Sequence, residues 1–111
     1  MPDEFTYFED IVFSAELAIQ YLGSISLSDF YDDLKTQDAI IRRISIMGEA
    51  TRRISDAVKD KYPQIPWQKI RSMRNAIIHE YDEVDIQVVW DTVKCDLPPL
   101  VENLRKILYE N

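Results

Sequence analysis

Four side chains that lie close together in the sequence have the types needed for phosphodiester chemistry: Arg74, Asn75, His79 and Tyr81. Histidine has an unperturbed pKa of about 6.5, so it can take up or release a proton at physiological pH. Arginine stays charged, and its forked guanidinium can hold a phosphate and the charge that builds in a transition state. If these groups converge, they suit RNA cleavage without a metal. Asn75 would then orient the imidazole or the backbone, and Tyr81 would stack on a base or donate to phosphate.

A regular helix does not by itself bring Arg74 and His79 together. Ser72, Asn75 and His79 are spaced i, i+3 and i+7 and share a face. Arg74, five residues before His79, lies about 140° away around the helix. Their approach requires that the arginine arm wraps around, that the helix loosens near residue 79, or that a second copy of the chain supplies the missing group across a dimer axis.

A purely structural role for the same residues remains an alternative. His79 at a helix C-terminus would be favoured in its charged form by the helix dipole, with Arg74 in a surface ion pair and Tyr81 in the core. A nucleophilic pair of Cys95 and His79 fits less well, because the two residues lie on different predicted helices.

The charge distribution indicates where an anionic partner would bind. The chain carries a formal net charge of −7. The segment 42–74 nevertheless has nine basic against three acidic residues, whereas the rest has four against seventeen. An acidic protein therefore has a basic middle third, which is suited to an anion such as RNA. A solvated helix face with ion pairs is the alternative.

Composition limits the other classes of function. At 111 residues with 46% hydrophobic content, we expect a single domain over residues 1–111. One cysteine and one histidine cannot form the usual four-ligand zinc site, so we expect no metal and no other cofactor. The acidic N-terminus and the lack of an apolar run of about 18 residues predict a cytoplasmic protein without a membrane span.

Periodic apolar residues predict helices throughout the chain. An apolar stripe from Phe5 to Leu22 predicts a first helix of about five turns, ended by Gly23. Ser26 and Asp29 predict the start of a short second helix through Phe30 and Tyr31.

The middle of the chain predicts one long helix and one shorter helix. Apolar residues from Ile40 to Val58 predict a third helix over about residues 36–61. Gly48 inside it would cost about 1 kcal/mol relative to alanine, so we expect its backbone to approach another helix closely. Pro66 is suited to the first position of a helix, so we predict a fourth helix that begins there and extends from Trp67 to about Ile78.

The last apolar stripe, from Ile86 to Ile107, keeps its phase across Pro98-Pro99. We therefore expect a helix that is kinked or split at these prolines. No segment alternates with the period of a strand. The predicted fold class is all-α, an antiparallel bundle of four or five helices.

Several segments together resemble a known family. Residues 74–81, R-N-A-I-I-H-E-Y, resemble the R-x4-H-x-Y signature of the HEPN superfamily, in its HepT-like branch. Residues 38–50 are similar to the I-G-E-A helix of that branch, and residues 62–67 to its Y-P-x-I-P-W connector. Val84-Asp85 together with residues 96–98 look like its closing helix. The resemblance covers nearly the whole chain.

The resemblance implies a helical homodimer that acts as a metal-independent endoribonuclease toxin. Carried over by position, Arg74 and His79 would be catalytic, Asn75 a supporting residue and Tyr81 the motif tyrosine. The family further implies an MntA-like nucleotidyltransferase antitoxin, which silences the toxin by transferring AMP from ATP to Tyr81. A bulky anionic nucleotide there would block RNA and neutralise the arginine.

Two positions depart from the family pattern. Ser72 stands where members often have glycine, and Asp82 stands where an aromatic commonly follows the tyrosine. Asp82 adds negative charge beside the substrate groove that the resemblance implies.

The alternative function is a non-catalytic helical module that binds a nucleotidyltransferase partner or a nucleotide through the same basic third.

Overall fold

The computed structural model describes residues 3–78 and 83–110. This part of the chain is helical almost throughout, and its α-helices are joined by short connections. The helices are α1 (Phe5–Leu22), α2 (Leu27–Tyr31), α3 (Leu34–Arg53), α4 (Asp56–Lys61), α5 (Trp67–Ile77), α6 (Ile86–Asp91) and α7 (Leu97–Glu110), with a π-helix (Thr92–Asp96) between the last two. The prediction of an all-α helical bundle is confirmed.

Local signals position the first helices as expected. Gly23 ends α1 at a φ of +53°, where a side chain would be strained, and its N–H donates to the Ile19 carbonyl. The Ser26 hydroxyl accepts from the Asp29 N–H at the start of α2. Asp33 then caps α3, accepting from the N–H and the hydroxyl of Thr36, and these hydrogen bonds lower the pKa of Asp33.

The prediction of one helix over residues 36–61 is wrong, because the chain divides there into α3 and α4. Ile54 is extended, with a ψ of 131°, and the Ser55 hydroxyl accepts from the Val58 N–H to start α4. The N–H and hydroxyl of Ser55 also donate to the carboxylate of Glu4. Apolar periodicity continues across the break because Ile54 is itself buried, so the stripe alone did not reveal it.

An aromatic cluster connects α1 to the start of α5. Phe8 is fully buried, and its ring centroid lies 5.7 Å from that of Tyr62 and 5.5 Å from that of Trp67. The indole N–H of Trp67 is shared between the carbonyls of Lys59 and Tyr62. Pro66 was predicted to be the first residue of this helix, but it is the N-cap residue of α5, which begins at Trp67. This cluster fixes where α5 begins.

Contrary to the expectation, the helix is not interrupted at Pro98-Pro99; the departure from α-helical geometry is the π-helix Thr92–Asp96, directly before α7. Neither proline has an N–H to donate to a carbonyl one turn earlier. In the preceding wide turn the Leu97 N–H donates to Thr92, five residues back. The chain stays helical from Ile86 to Glu110, because the prolines lie in the first turn of α7, where amide donors are least needed.

Helix α3 occupies the middle of the bundle. It packs against α1 on one side and α5 on the other, while α7 covers α1. Its core stripe of Ile40, Ile44, Met47 and Thr51 is fully buried. The Thr51 hydroxyl donates to the Met47 carbonyl, which satisfies the one polar group in that stripe.

Replacing Phe8 with alanine tests the aromatic cluster. Phe8→Ala should lower the free energy of unfolding by about 3–5 kcal/mol, because it removes a fully buried ring and leaves a cavity. The matched control is Phe13→Ala in the same helix, where the side chain is 52% exposed and the change should be within about 0.5 kcal/mol. Urea unfolding followed by circular dichroism measures both. Equal losses would contradict the assignment of Phe8 to the core.

Candidate active site

A groove runs between α3 and α5 and continues to the end of α5. It consists of two adjoining cavities of about 390 and 400 Å³, which share Ser45, Glu49 and Arg74. We call it the α3/α5 groove. Its lining comprises Asp38, Ile41, Arg42, Ser45, Ile46, Gly48, Glu49, Arg52, Arg71, Arg74, Asn75 and Ile78.

Helical spacing explains why polar residues line this groove. On α3, Arg42, Ser45, Glu49 and Arg52 recur at intervals of three and four residues. They form a face separate from the buried stripe of the same helix. On α5 the buried residues are Ile70, Met73 and Ile77, which leaves the arginines of that helix exposed.

The two helices approach each other at Gly48. A Cβ atom added there would lie 3.7 Å from the Arg71 carbonyl oxygen and 3.8 Å from that of Ile70. The expected close approach of Gly48 to another helix is therefore confirmed. The same distances are ordinary van der Waals contacts, so an alanine fits, whereas a longer side chain at this position would extend into the groove.

Among the described residues, the lining of the groove carries an excess of positive charge. Four arginines, Arg42, Arg52, Arg71 and Arg74, line it, against the two carboxylates of Asp38 and Glu49. Glu49 forms an ion pair with Arg52 across one turn of α3. Within the described residues the other three arginines have no ion-pair partner. All three side chains are exposed, and guanidinium groups of this kind can bind an anion.

The structure places two of the four predicted site residues in this groove. Arg74 borders both cavities, and Asn75 borders the one that also contains Arg71. Arg74 forms no ion pair with another residue of the ranges 3–78 and 83–110. His79 and Tyr81 lie outside the described residues, as does Asp82.

The described residues on both sides of this segment show how α5 ends. Helix α5 ends at Ile77, and Ile78 is extended, with φ −103° and ψ 114°. Ile78 forms an isolated antiparallel bridge with Val84, and the Asp85 N–H donates to the Ile77 carbonyl at 2.8 Å. The helical relation that separates positions 74 and 79 by about 140° therefore ends before residue 79. Ile78, the residue directly before His79, lines the groove beside Arg74.

Sequence reasoning did not single out the other arginines of the groove. Arg42, Arg52 and Arg71 were visible only as part of the basic segment 42–74, because their meeting across two helices is a tertiary feature. The spacing of Arg42, Ser45, Glu49 and Arg52 at intervals of three and four residues is the local signal that could have found Arg42 and Arg52. Gly48 was noted for its approach to another helix, but not as the floor of a groove.

Comparison with known proteins identifies the family. The sequence profile described as ribonuclease HepT-like matches residues 13–107 of the chain. The chain belongs to the HepT-like ribonuclease family. The recognition made from residues 74–81 is thereby confirmed, and so is the prediction that the protein is an enzyme of the ribonuclease class.

Individual relatives agree with the HepT-like assignment. A protein named "Probable ribonuclease HepT" from Thermococcus cleftensis is 44% identical over 103 residues, covering 90% of this chain and 94% of the relative. "Putative RNase TTE0752" from Caldanaerobacter subterraneus subsp. tengcongensis is 32% identical over 102 residues, covering 92% and 91%. A longer protein from Methanocaldococcus jannaschii, "Gamma-glutamylcyclotransferase and putative RNase MJ0434", is 38% identical, but the chain covers only 47% of it. No solved structure matches the chain.

Two further observations describe the surroundings of the HepT-like site. Among residues 3–78 and 83–110, no three or more His, Cys, Asp or Glu side chains are grouped so as to hold a metal ion. In the same ranges no helix is long and apolar enough to cross a membrane.

Replacing Gly48 with alanine tests the geometry of the groove floor. Gly48→Ala should raise the free energy of unfolding by up to about 1 kcal/mol, because the helix gains propensity and the new methyl group meets only ordinary contacts. Thermal and urea unfolding measure the change. A loss of more than about 1 kcal/mol would mean that α3 and α5 approach each other more closely than described.

Proposed function

We propose that this chain is a metal-independent endoribonuclease toxin in which Arg74 and His79 act on the same RNA linkage and Asn75 supports them. The observation that carries the proposal is the position of Arg74. Arg74 lies at the junction of two cavities and has no ion-pair partner within the described residues, and Ile78, which precedes the only histidine of the chain, lines the same groove. RNA supplies the anionic substrate, and the cytoplasm is the compartment in which it would be met.

The chemistry follows from the two side chains. The ribose 2′-oxygen attacks the adjacent phosphorus, the bond from phosphorus to the 5′-oxygen breaks, and a 2′,3′-cyclic phosphate is left. One proton must leave the 2′-hydroxyl and one must reach the departing 5′-oxygen, and an imidazole near neutral pH can carry out either transfer. The guanidinium of Arg74 stabilises the extra negative charge on the phosphate oxygens in the transition state. None of these steps requires a metal.

A homodimer would complete this machinery. A single imidazole performs one of the two proton transfers at a time, and this chain has only one histidine. A two-fold axis beside the groove would bring a second histidine and a second arginine to the same cleft. We therefore include a second copy of the chain in the proposed active site.

Regulation by a nucleotidyltransferase is the second part of the proposal. An MntA-like antitoxin would bind ATP, and the Tyr81 phenolic oxygen would attack the α-phosphorus while pyrophosphate leaves. The attached AMP would place a phosphate among the groove arginines and so compete with RNA. Tyr81 follows the groove-lining Ile78 by three residues, which supports this placement.

One observation favours a second candidate function. Arg42, Arg71 and Arg74, which form no ion pair with another described residue, line cavities of about 390 and 400 Å³, and they suit the phosphates of a nucleotide as well as those of RNA. A non-catalytic module that binds a nucleotide or a nucleotidyltransferase partner would use the same surface. Such a module would leave RNA intact whether or not His79 is present.

Replacing His79 with alanine separates these two functions. Purified parent protein should cleave single-stranded RNA equally well with and without a chelator, and His79→Ala should lower the rate by at least about 100-fold because a proton carrier is lost. Gel analysis of RNA fragments measures the rate, with circular dichroism as the control for folding. Equal cleavage by parent and variant would refute the catalytic role, and loss of activity in chelator would refute metal independence.

Replacing Tyr81 with phenylalanine tests the modification site. After incubation with ATP and the nucleotidyltransferase partner, intact mass measurement should show addition of AMP to the parent and none to Tyr81→Phe, which lacks the attacking oxygen. Tyr109→Phe, at a side chain that is 82% exposed in α7, is the matched control and should still be modified. An adduct on the Tyr81→Phe protein would place the modification elsewhere.

A further inference from the structure

The α3/α5 groove extends beyond Arg74 in both directions, and each extension contains another arginine. One cavity adds Arg71 and Arg52, and the other adds Arg42. Arg74 therefore lies between cationic side chains rather than at the end of a pocket. Such an arrangement fits a chain of phosphates better than a single one.

The length of the groove corresponds to a short stretch of nucleic acid. Arg42 and Gly48, which faces the Arg71 carbonyl, are six residues apart on α3, which is about 9 Å along the helix axis. At a rise of about 3.4 Å per stacked nucleotide, this distance accommodates about three successive phosphates, which join four nucleotides. The groove is therefore long enough for the phosphates on both sides of a linkage held at Arg74.

The ion pairs decide which arginines can contact these phosphates. Arg52 is engaged by Glu49, whereas Arg42 and Arg71 have no ion-pair partner within the described residues. Both are exposed. A phosphate that approaches Arg42 or Arg71 displaces only water and counterions, while one that approaches Arg52 must compete with a carboxylate.

The shape of the groove favours a single strand over a duplex. Helices in contact have axes about 8–10 Å apart, so the depression between their side chains admits one backbone. An A-form duplex shows proteins a wide, shallow minor groove and is bound across its surface rather than in a cleft. A strand lying in this groove has its bases unpaired.

We propose that Arg42 and Arg71 hold the phosphates that flank the linkage at Arg74, so that the substrate is single-stranded RNA bound over about four nucleotides along the groove. This inference rests on the proposed function, since it takes RNA as the occupant of the site. Arg42 and Arg71 are binding residues in this account and take no part in the proton transfers. Substrates that are too short to reach them bind through Arg74 alone.

The salt dependence of binding tests the proposal without requiring cleavage. Fluorescence anisotropy would measure the affinity of a labelled single-stranded eight-nucleotide RNA, 2′-O-methylated to prevent cleavage, between about 50 and 200 mM salt. A single strand gives a slope of about −0.7 per phosphate contact in a plot of log affinity against log salt, so three contacts predict about −2. Arg42→Gln and Arg71→Gln should each reduce the steepness of the slope by about 0.7.

Three comparisons make the result specific. Arg53→Gln removes an exposed arginine on α3 that lines neither cavity and should leave the slope unchanged. A dinucleotide, which has one phosphodiester, should bind parent, Arg42→Gln and Arg71→Gln equally. A duplex of the same sequence should bind more weakly than the single strand.

The outcomes that overturn the proposal are distinct from those that overturn the ribonuclease function. If Arg53→Gln changes the slope as much as the groove variants do, binding depends on general charge and not on a phosphate track. Unchanged slopes in Arg42→Gln and Arg71→Gln, or tighter binding of the duplex, would also refute it. Normal binding by a parent protein that does not cleave unmethylated RNA would refute the ribonuclease function while leaving the track intact.

Discussion

The packing of α3 against α5 is the interaction on which the α3/α5 groove, and with it the proposed chemistry, depends. The two helices bury Ile44 and Met47 from one side and Ile70 and Met73 from the other. They meet where Gly48 faces the carbonyl groups of α5, and the polar faces beside that contact form the walls of the groove. The arginines are brought together only because both helices turn their apolar sides inward. A shift of either helix would separate Arg74 from the side chains of α3.

The rest of the fold holds α5 in its position. At its start, the Trp67 indole donates to two carbonyls at the end of α4, and its ring packs on Phe8 of α1. At its end, the Asp85 N–H donates to the Ile77 carbonyl, next to the bridge of Ile78 with Val84. A helix that is fixed at both ends is a suitable support for Arg74 in its proposed role, because preorganised charges lose little energy on reorganisation during reaction.

Local sequence signals were sufficient for most of the helices and for part of the site. Gly23, Ser26 and Pro66 mark helix ends through their own backbone or side-chain chemistry, and the R-x4-H-x-Y signature pointed to Arg74 and Asn75. The division between α3 and α4 was missed because the contact of Ser55 with Glu4 joins residues that are 51 positions apart. The position of Arg42 and Arg71 in one groove was missed for the same kind of reason, since it follows from tertiary packing.

A double-mutant cycle of Arg74→Gln and His79→Ala on RNA cleavage tests the central claim most directly. If the guanidinium and the imidazole act on one linkage, each single variant loses most of the rate enhancement, and the double variant has a kcat/KM close to that of the more damaged single variant. Losses that multiply in the double variant, or an Arg74→Gln enzyme as active as the parent, would show that the two residues do not act together and would contradict the account.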